Sequence, residues 1–383
     1  MNIVDAILFQ CRRQPPVAAI CVPGQDKGLI SYRRLEQSVY NISRRLLALG
    51  LAPGSIVAVN IQDAIFHATM LLALTRLGVA TLTIHDGLPP LPFKIDALIS
   101  DSRPPLSTID RVALADPSWM EGDGQAIEPR YIPPTSENDI CRLMLASGST
   151  GTPTAVAISQ RLLADRIGRH LTVFGNRLPR CDRFYSDMPL STSLGFQFLI
   201  YSLLRGGTIV FPGERFDATL LAIEEYKVQC LIASPEGLEI FVRGFETIPA
   251  YQSCIELILC GGEALSASLS ERVRSRICSH VVAAYGSVET GTAAAAAAHA
   301  IAGTPGAVGF VTPGTTVQIV DHSGTLLAPG QEGLVRIKSD CAVDGYRSSP
   351  KETAQSFRDG WFYPGDTGTL DAGELLVITG REH

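Results

Sequence analysis

A chain of 383 residues with 46% hydrophobic and 18% charged residues is globular and has room for more than one domain, which excludes a disordered polymer. Its net charge of −6 comes without a basic block or stripe, which excludes a nucleic-acid-binding surface. Nine cysteines, an odd number with no C-x-x-C pair, exclude a disulfide framework or a zinc site; they read as buried reduced thiols of a cytoplasmic protein.

Met1 to Arg13 forms a short amphipathic segment without the signal-peptide order of charge first and apolar core second. Ile56 to Ile61 is strand-like, Ala64 to Leu77 helix-like and Val79 to Ile84 strand-like again. The stretches Ala68 to Ile84 and Phe196 to Phe211 are the most hydrophobic, yet Arg and Gly interrupt each below the length of a membrane span. The Pro-rich Glu128 to Thr135 reads as a crossing between two lobes, near 128–138.

Alternation resumes beyond it. Ile140 to Leu145, Arg183 to Met188, Thr208 to Phe211, Val228 to Ala233, Ile255 to Cys260 and His280 to Ala284 are apolar strands. Gln160 to Val173, Ser193 to Leu204, Ala218 to Tyr226, Pro235 to Gly244 and Ser266 to Cys278 have helical spacing. Strand–helix alternation with short links implies an α/β fold of two lobes with mainly parallel sheets, over 1–302. The six alanines Ala293 to Ala298 are flanked by Gly291-Thr292 and Gly303-Thr304-Pro305, which predicts a loop or short helix. From Gly303 the chain turns rich in Gly, Pro, Val and Thr, with short strands at Thr316 to Val320, Gly333 to Ile337 and Glu374 to Ile378. That pattern predicts a small antiparallel β-barrel subdomain over 303–380.

Three loops carry chemistry. Ser147-Gly148-Ser149-Thr150-Gly151 follows the strand at 140–145; its glycines let backbone approach a ligand, and its hydroxyls and N–H groups suit phosphate. A P-loop is excluded, because Ser147 to Thr154 contains no Lys. Tyr285-Gly286-Ser287-Val288-Glu289-Thr290 places a ring and then a carboxylate in a turn at a strand's carboxyl end, where ligands of α/β proteins sit. A Glu there suits Mg²⁺, although a surface Glu on a loop has the same pattern. Gly360-Trp361-Phe362-Tyr363-Pro364-Gly365-Asp366 fixes an acceptor-only carboxylate beside aromatic rings, suited to sugar hydroxyls; an anchored hairpin is the plain alternative.

These three motifs, in this order and spacing, resemble the adenylate-forming superfamily: acyl- and aryl-CoA synthetases, luciferases and peptide-synthetase adenylation domains. Gly54 to Val59 and Leu77 to Ala80 are similar to the family's early strand and helix–strand joint, so the resemblance covers essentially the whole chain. It implies an enzyme that converts a carboxylic acid and ATP to an acyl-AMP and pyrophosphate, followed by thioester formation to CoA or to the phosphopantetheine of an acyl carrier protein. Ser147 to Gly151 then embrace the β- and γ-phosphates, with Thr150, Glu289 and Arg381 as the catalytic set. Gly261-Gly262-Glu263 pass the adenine, Tyr285 stacks on it with Gly286 beside it, and Glu289 binds Mg²⁺. Asp366 grips the ribose hydroxyls, and Arg381 reaches the ribose and phosphate. Thr192, Phe196, Ser234 and Gly286 line the acid pocket, with Thr192 where many members place a His beside the substrate carboxylate. Because Ser191 and Thr192 stand where amino-acid-activating members place an Asp, the resemblance favours an acyl or aryl acid.

The chain departs from the family's pattern in three ways. Thr154 stands where a Lys is usual, Val288 replaces a common Thr, and the sequence stops at His383 beside the family's hinge, before its smaller mobile domain. A truncation is the expected reason, and these residues alone should then adenylate slowly. A degenerate homologue that binds nucleotide or a partner without catalysis is the competing expectation.

Overall fold

The computed structural model describes residues 2–85, 90–103, 109–126, 132–133, 135–146, 153–246 and 253–382. The chain divides into two compact units. Of the described residues, one unit takes those within 2–146, 153–165 and 189–222, and the other takes those within 166–188 and 223–382.

The first unit holds a six-stranded sheet in the order Val112–Leu114, Ala97–Ser100, Ile56–Asn60, Ala80–Thr83, Ile140–Ala146, Thr154–Ser159. All its pairings are parallel except the last, where Ile140–Ala146 and Thr154–Ser159 run antiparallel. Ile56, Ala58, Ala80, Leu82, Leu98 and Leu143 form a core on this sheet. The helix Ala64–Arg76 is buried from Ile65 onward, so the apolar run read as helix is an interior one. It starts where Asp63 Oδ1 accepts the Phe66 N–H at 2.7 Å. A smaller strip joins Ala18–Cys21 in parallel with Thr208–Val210 and antiparallel with Leu29–Ser31. Helix Ser193–Arg205 begins at the Thr192 cap and ends on Gly206, whose φ of 76° is the left-handed stop that glycine supplies without strain.

The second unit begins its sheet with four parallel strands: Arg183–Ser186, Cys230–Ala233, Leu257–Cys260 and Val281–Ser287. Direction then reverses. Gly291–Ala297 pairs antiparallel with Val281–Ser287 on one side and with Ala307–Val311 on the other. Leu375–Arg381, Asp366–Leu370 and Gly333–Ser339 continue the antiparallel order, with Thr315–Val320 also on Gly333–Ser339. Val317, Ile319, Val335, Ile337 and Leu376 pack with Ala293 and Ala294 in one core.

Two expectations need correcting. The alanine run is a strand, Gly291–Ala297, followed by a four-residue helix, Ala298–Ile301. Alanine's helix preference is less than about 1 kcal/mol per residue, and a ladder on both edges outweighs it. The neighbouring strand needs its glycine here: a Cβ on Gly309 would lie 2.4 Å from the Ala295 carbonyl carbon. Secondly, Tyr285, Gly286 and Ser287 are not a turn but the end of strand Val281–Ser287. The reversal falls on the next three residues, which leaves Glu289 in the turn.

All nine cysteines are free thiols, and eight are buried. Among the described residues no helix is long and apolar enough to cross a membrane.

Candidate nucleotide and acid site

In the second unit, the strand Val281–Ser287 carries Tyr285 and Gly286, Asp366–Leu370 carries Asp366, and Leu375–Arg381 carries Arg381. Tyr285 Oη donates to Asp366 Oδ2 at 2.5 Å, across 81 positions of sequence. Burial and the neighbouring Asp366 carboxylate both push the Tyr285 phenol up, so it stays neutral and donates. Asp366 faces Arg381 across the ladder, and Arg381 Nε lies 3.9 Å from Asp366 Oδ1. Arg381 also donates Nη2 to the Pro364 carbonyl at 3.3 Å. Its side chain is 62% exposed, so the ion pair adds little stability and leaves most of the guanidinium open to a ligand.

Glu289 is 5% exposed, and its Oε1 accepts the Tyr346 hydroxyl at 2.8 Å. Its N–H donates to Ser287 Oγ at 3.2 Å, and its carbonyl accepts from Arg166 Nη2 at 3.0 Å. Gly286 stands beside the turn because a Cβ there would meet the Gly291 carbonyl oxygen at 2.1 Å. Among the described residues no group of three or more His, Cys, Asp or Glu side chains could hold a metal. One buried carboxylate does fit Mg²⁺, which commonly takes one or two protein carboxylates and completes its shell with water and phosphate oxygens.

Gly261 and Gly262 follow strand Leu257–Cys260, with Gly262 at φ 96° and Glu263 exposed. Gly261 N–H reaches the Ala233 carbonyl at 3.3 Å. Ser234, at the end of Cys230–Ala233, caps helix Pro235–Glu246 by accepting the Gly237 N–H on its Oγ at 3.0 Å. Its own N–H and hydroxyl donate to the two oxygens of Asp187 at 3.1 and 3.3 Å. Burial pushes Asp187 up to about 6 despite these donors. A Cβ on Gly237 would lie 1.5 Å from Asp187 Oδ2, so that glycine makes room for the carboxylate.

Thr192 and Phe196 lie in the first unit. Thr192 caps its helix, accepting the Gly195 N–H at 3.1 Å and donating to the Pro189 carbonyl at 2.8 Å. Phe196 is buried, and the Arg142 guanidinium lies 4.7 Å from its ring centroid. Arg142 is 1% exposed, and no acidic side chain pairs with it among the described residues. Its donors reach Thr81 Oγ1 at 3.1 Å, Thr83 Oγ1 at 2.8 Å and the Leu190 carbonyl at 2.6 Å. Burial brings its ordinary value down to about 9. His67 Nε2 lies 2.9 Å from Thr83 Oγ1; burial and then the Arg142 charge lower it to about 3.

Ser147, Gly148, Ser149, Thr150 and Gly151 lie outside the described residues. The strands on either side of that loop are paired, with Ala146 opposite Thr154. Thr154, where the family resemblance expects a Lys, is buried.

Sequence reasoning missed Asp187, Arg142, Arg166 and Tyr346. Arg142 did leave a signal: it is the one charge in the apolar strand Ile140–Ala146. Tyr346 left none, since its partner lies 57 positions away.

The family model described as AMP-binding enzyme matches residues 9–347. The chain therefore belongs to the AMP-binding enzyme family, the adenylate-forming class that activates carboxylic acids with ATP. It is 25% identical to 4-chlorobenzoate–CoA ligase of an Arthrobacter species over 411 aligned positions, covering 98% of this chain and 76% of the ligase. It is 28% identical to feruloyl-CoA synthase of an Amycolatopsis species, covering 92% of this chain and 73% of the synthase. In fold it is similar to VinN, with a TM-score of 0.84, 22% identity and coverage of 99% of both chains.

Proposed function

We propose that the acid activated by this chain is an aryl or arylacyl carboxylate, joined to AMP with release of pyrophosphate and then passed to the thiol of CoA. The observation that carries the nucleotide half of this reading is the hydrogen bond from Tyr285 to Asp366 beside Arg381. A ring, a ribose-type acceptor and an open cation converge there from strands distant in sequence. Tyr285 offers a face for the adenine, Asp366 keeps Oδ1 for ribose hydroxyls, and Arg381 supplies charge toward phosphate. Glu289 would hold Mg²⁺, whose charge offsets the repulsion between a carboxylate and a polyanionic nucleotide. The Ser147 to Gly151 loop, with Thr150, would hold the β- and γ-phosphates, and Gly261 to Glu263 would border the adenine.

No general base is needed. A carboxylic acid is already ionised at neutral pH, so alignment and charge stabilisation carry the reaction. The acid side would be lined by Thr192, Phe196, Ser234 and Gly286. The aryl preference is supported by buried Phe196 and by relatives whose names specify chlorobenzoate and ferulate. The experiment is an acid library incubated with the chain, ATP and Mg²⁺ and read by mass spectrometry for acyl-AMP. Aryl adenylates are the expected products; exclusive formation of aliphatic adenylates would overturn the substrate class.

A second reading, a nucleotide binder without catalysis, draws on buried Thr154 in place of a loop Lys. Calorimetry that finds ATP binding while the library yields no adenylate would favour it.

A further inference from the structure

Tyr346 belongs to none of the three motifs. Its hydroxyl supplies the sole protein hydrogen bond to the Glu289 carboxylate among the described residues, at 2.8 Å to Oε1. The tyrosine is itself fixed. Its N–H donates to Thr353 Oγ1 at 2.9 Å, and the Thr353 hydroxyl returns to the Tyr346 carbonyl at 3.4 Å. Its ring meets Phe357 edge-on, with centroids 5.4 Å apart and an interplanar angle of 79°. Gly345 allows this closeness, because a Cβ there would lie 2.5 Å from Thr353 Cγ2.

Glu289 is anchored separately through its backbone. Its carbonyl accepts from Arg166 Nη2 at 3.0 Å and from the Val343 N–H at 2.9 Å. Arg166 also donates Nε and Nη2 to the Cys341 carbonyl, at 3.1 and 2.9 Å. The 341–346 segment thus reaches Glu289 at the main chain and at the side chain. Without Tyr346 the carboxylate could still rotate about its side-chain bonds.

A phenol has a property that a Lys or Arg in the same place would lack. It donates a hydrogen bond but carries no positive charge, so it orients the carboxylate without competing with a cation for it. Donors behind a ligating carboxylate commonly set both its direction and the affinity of the site.

We infer that Tyr346 is a positioning residue for a divalent cation: its hydroxyl engages Glu289 Oε1 and so presents Oε2, which has no protein donor among the described residues. The inference rests on the reading of Glu289 as the Mg²⁺ carboxylate. It implies that Tyr346 acts on metal-assisted nucleotide binding and not on nucleotide binding as such.

The test is calorimetric titration of ATP into the chain, once with Mn²⁺ and once in EDTA. Tyr346→Phe keeps the ring against Phe357 and removes only the hydroxyl, so the fold is retained. The expected result is about a 10-fold loss of the affinity gain that Mn²⁺ confers, with affinity in EDTA unchanged. Glu289→Gln, run in parallel, should lose that gain more completely. If Glu289→Gln loses the gain and Tyr346→Phe keeps it, Tyr346 is not a positioning residue and the site reading stands. If Glu289→Gln keeps the gain, the metal reading of Glu289 fails and the inference fails with it. An equal loss for Tyr346→Phe in Mn²⁺ and in EDTA marks a structural role and also overturns the inference.

Discussion

The two units handle polar groups in opposite ways. In the second, two carboxylates, Asp366 and Glu289, each accept a hydrogen bond from a tyrosine, Tyr285 and Tyr346. In the first, the buried polar cluster is cationic or neutral: Arg142, His67, Thr81 and Thr83, with no acidic partner for Arg142 among the described residues. The tyrosine–carboxylate pairs leave an oxygen or a ring face available, as a ligand site requires. The arginine cluster spends its donors on Thr81, Thr83 and the Leu190 carbonyl, which ties strand Ile140–Ala146 to the segment before Thr192. Reactive capacity and scaffold rigidity therefore come from different chemistry.

The sharpest way to break this contrast is Glu289→Gln. It keeps shape and removes the charge that the cation needs, so acid-dependent pyrophosphate exchange should fall by about 100-fold or more. A variant within two-fold of the parent would place Glu289 with the scaffold residues. Asp366→Ala comes next. Loss of an acceptor for charge-assisted hydrogen bonds is worth about 1.5–3 kcal/mol, so ATP affinity measured in EDTA should weaken by at least about 10-fold. Tyr285→Phe should cost less, about 1 kcal/mol, because the ring face remains.

The scaffold side makes its own demand. Arg142→Met removes the donors to Thr81, Thr83 and the Leu190 carbonyl and leaves that buried carbonyl without them, a cost that relief of a desolvated cation offsets only in part. The denaturant midpoint should therefore fall, by about 1–3 kcal/mol of stability. An unchanged or raised midpoint would show that the arginine does not hold this scaffold together. The smallest effect concerns His67. Its folded-state value lies near 3, below the ordinary 6.5, so the unfolded chain binds its proton first on acidification. The stability it supports is present above about pH 6.5 and is lost as pH falls toward 3. His67→Gln should flatten that part of the stability profile when denaturant midpoints are compared at pH 7.5 and 5.5.

Legibility in the sequence followed the same division. Tyr285, Glu289 and Asp366 sit in short motifs whose residue types suggest their chemistry, and strand–helix alternation made the α/β class readable. The pairing of Tyr285 with Asp366 was not readable, because sheet order decides it and not spacing. The alanine run misled because local preference was weaker than a two-sided ladder. Arg142 was passed over since strand periodicity finds apolar positions and is blind to a charge buried among them. Asp187 and Ser234 meet only because parallel strands end side by side, Tyr185 beside Leu231 and Ser186 beside Ile232.

Acid-dependent exchange of labelled pyrophosphate into ATP tests the central claim most directly, since it requires nucleotide, cation and carboxylate to meet on this chain. The account predicts exchange that appears with an aryl acid such as 4-chlorobenzoate, needs Mg²⁺, and collapses in Glu289→Gln. Exchange that ignores the acid, or persists undiminished in that variant, would contradict it.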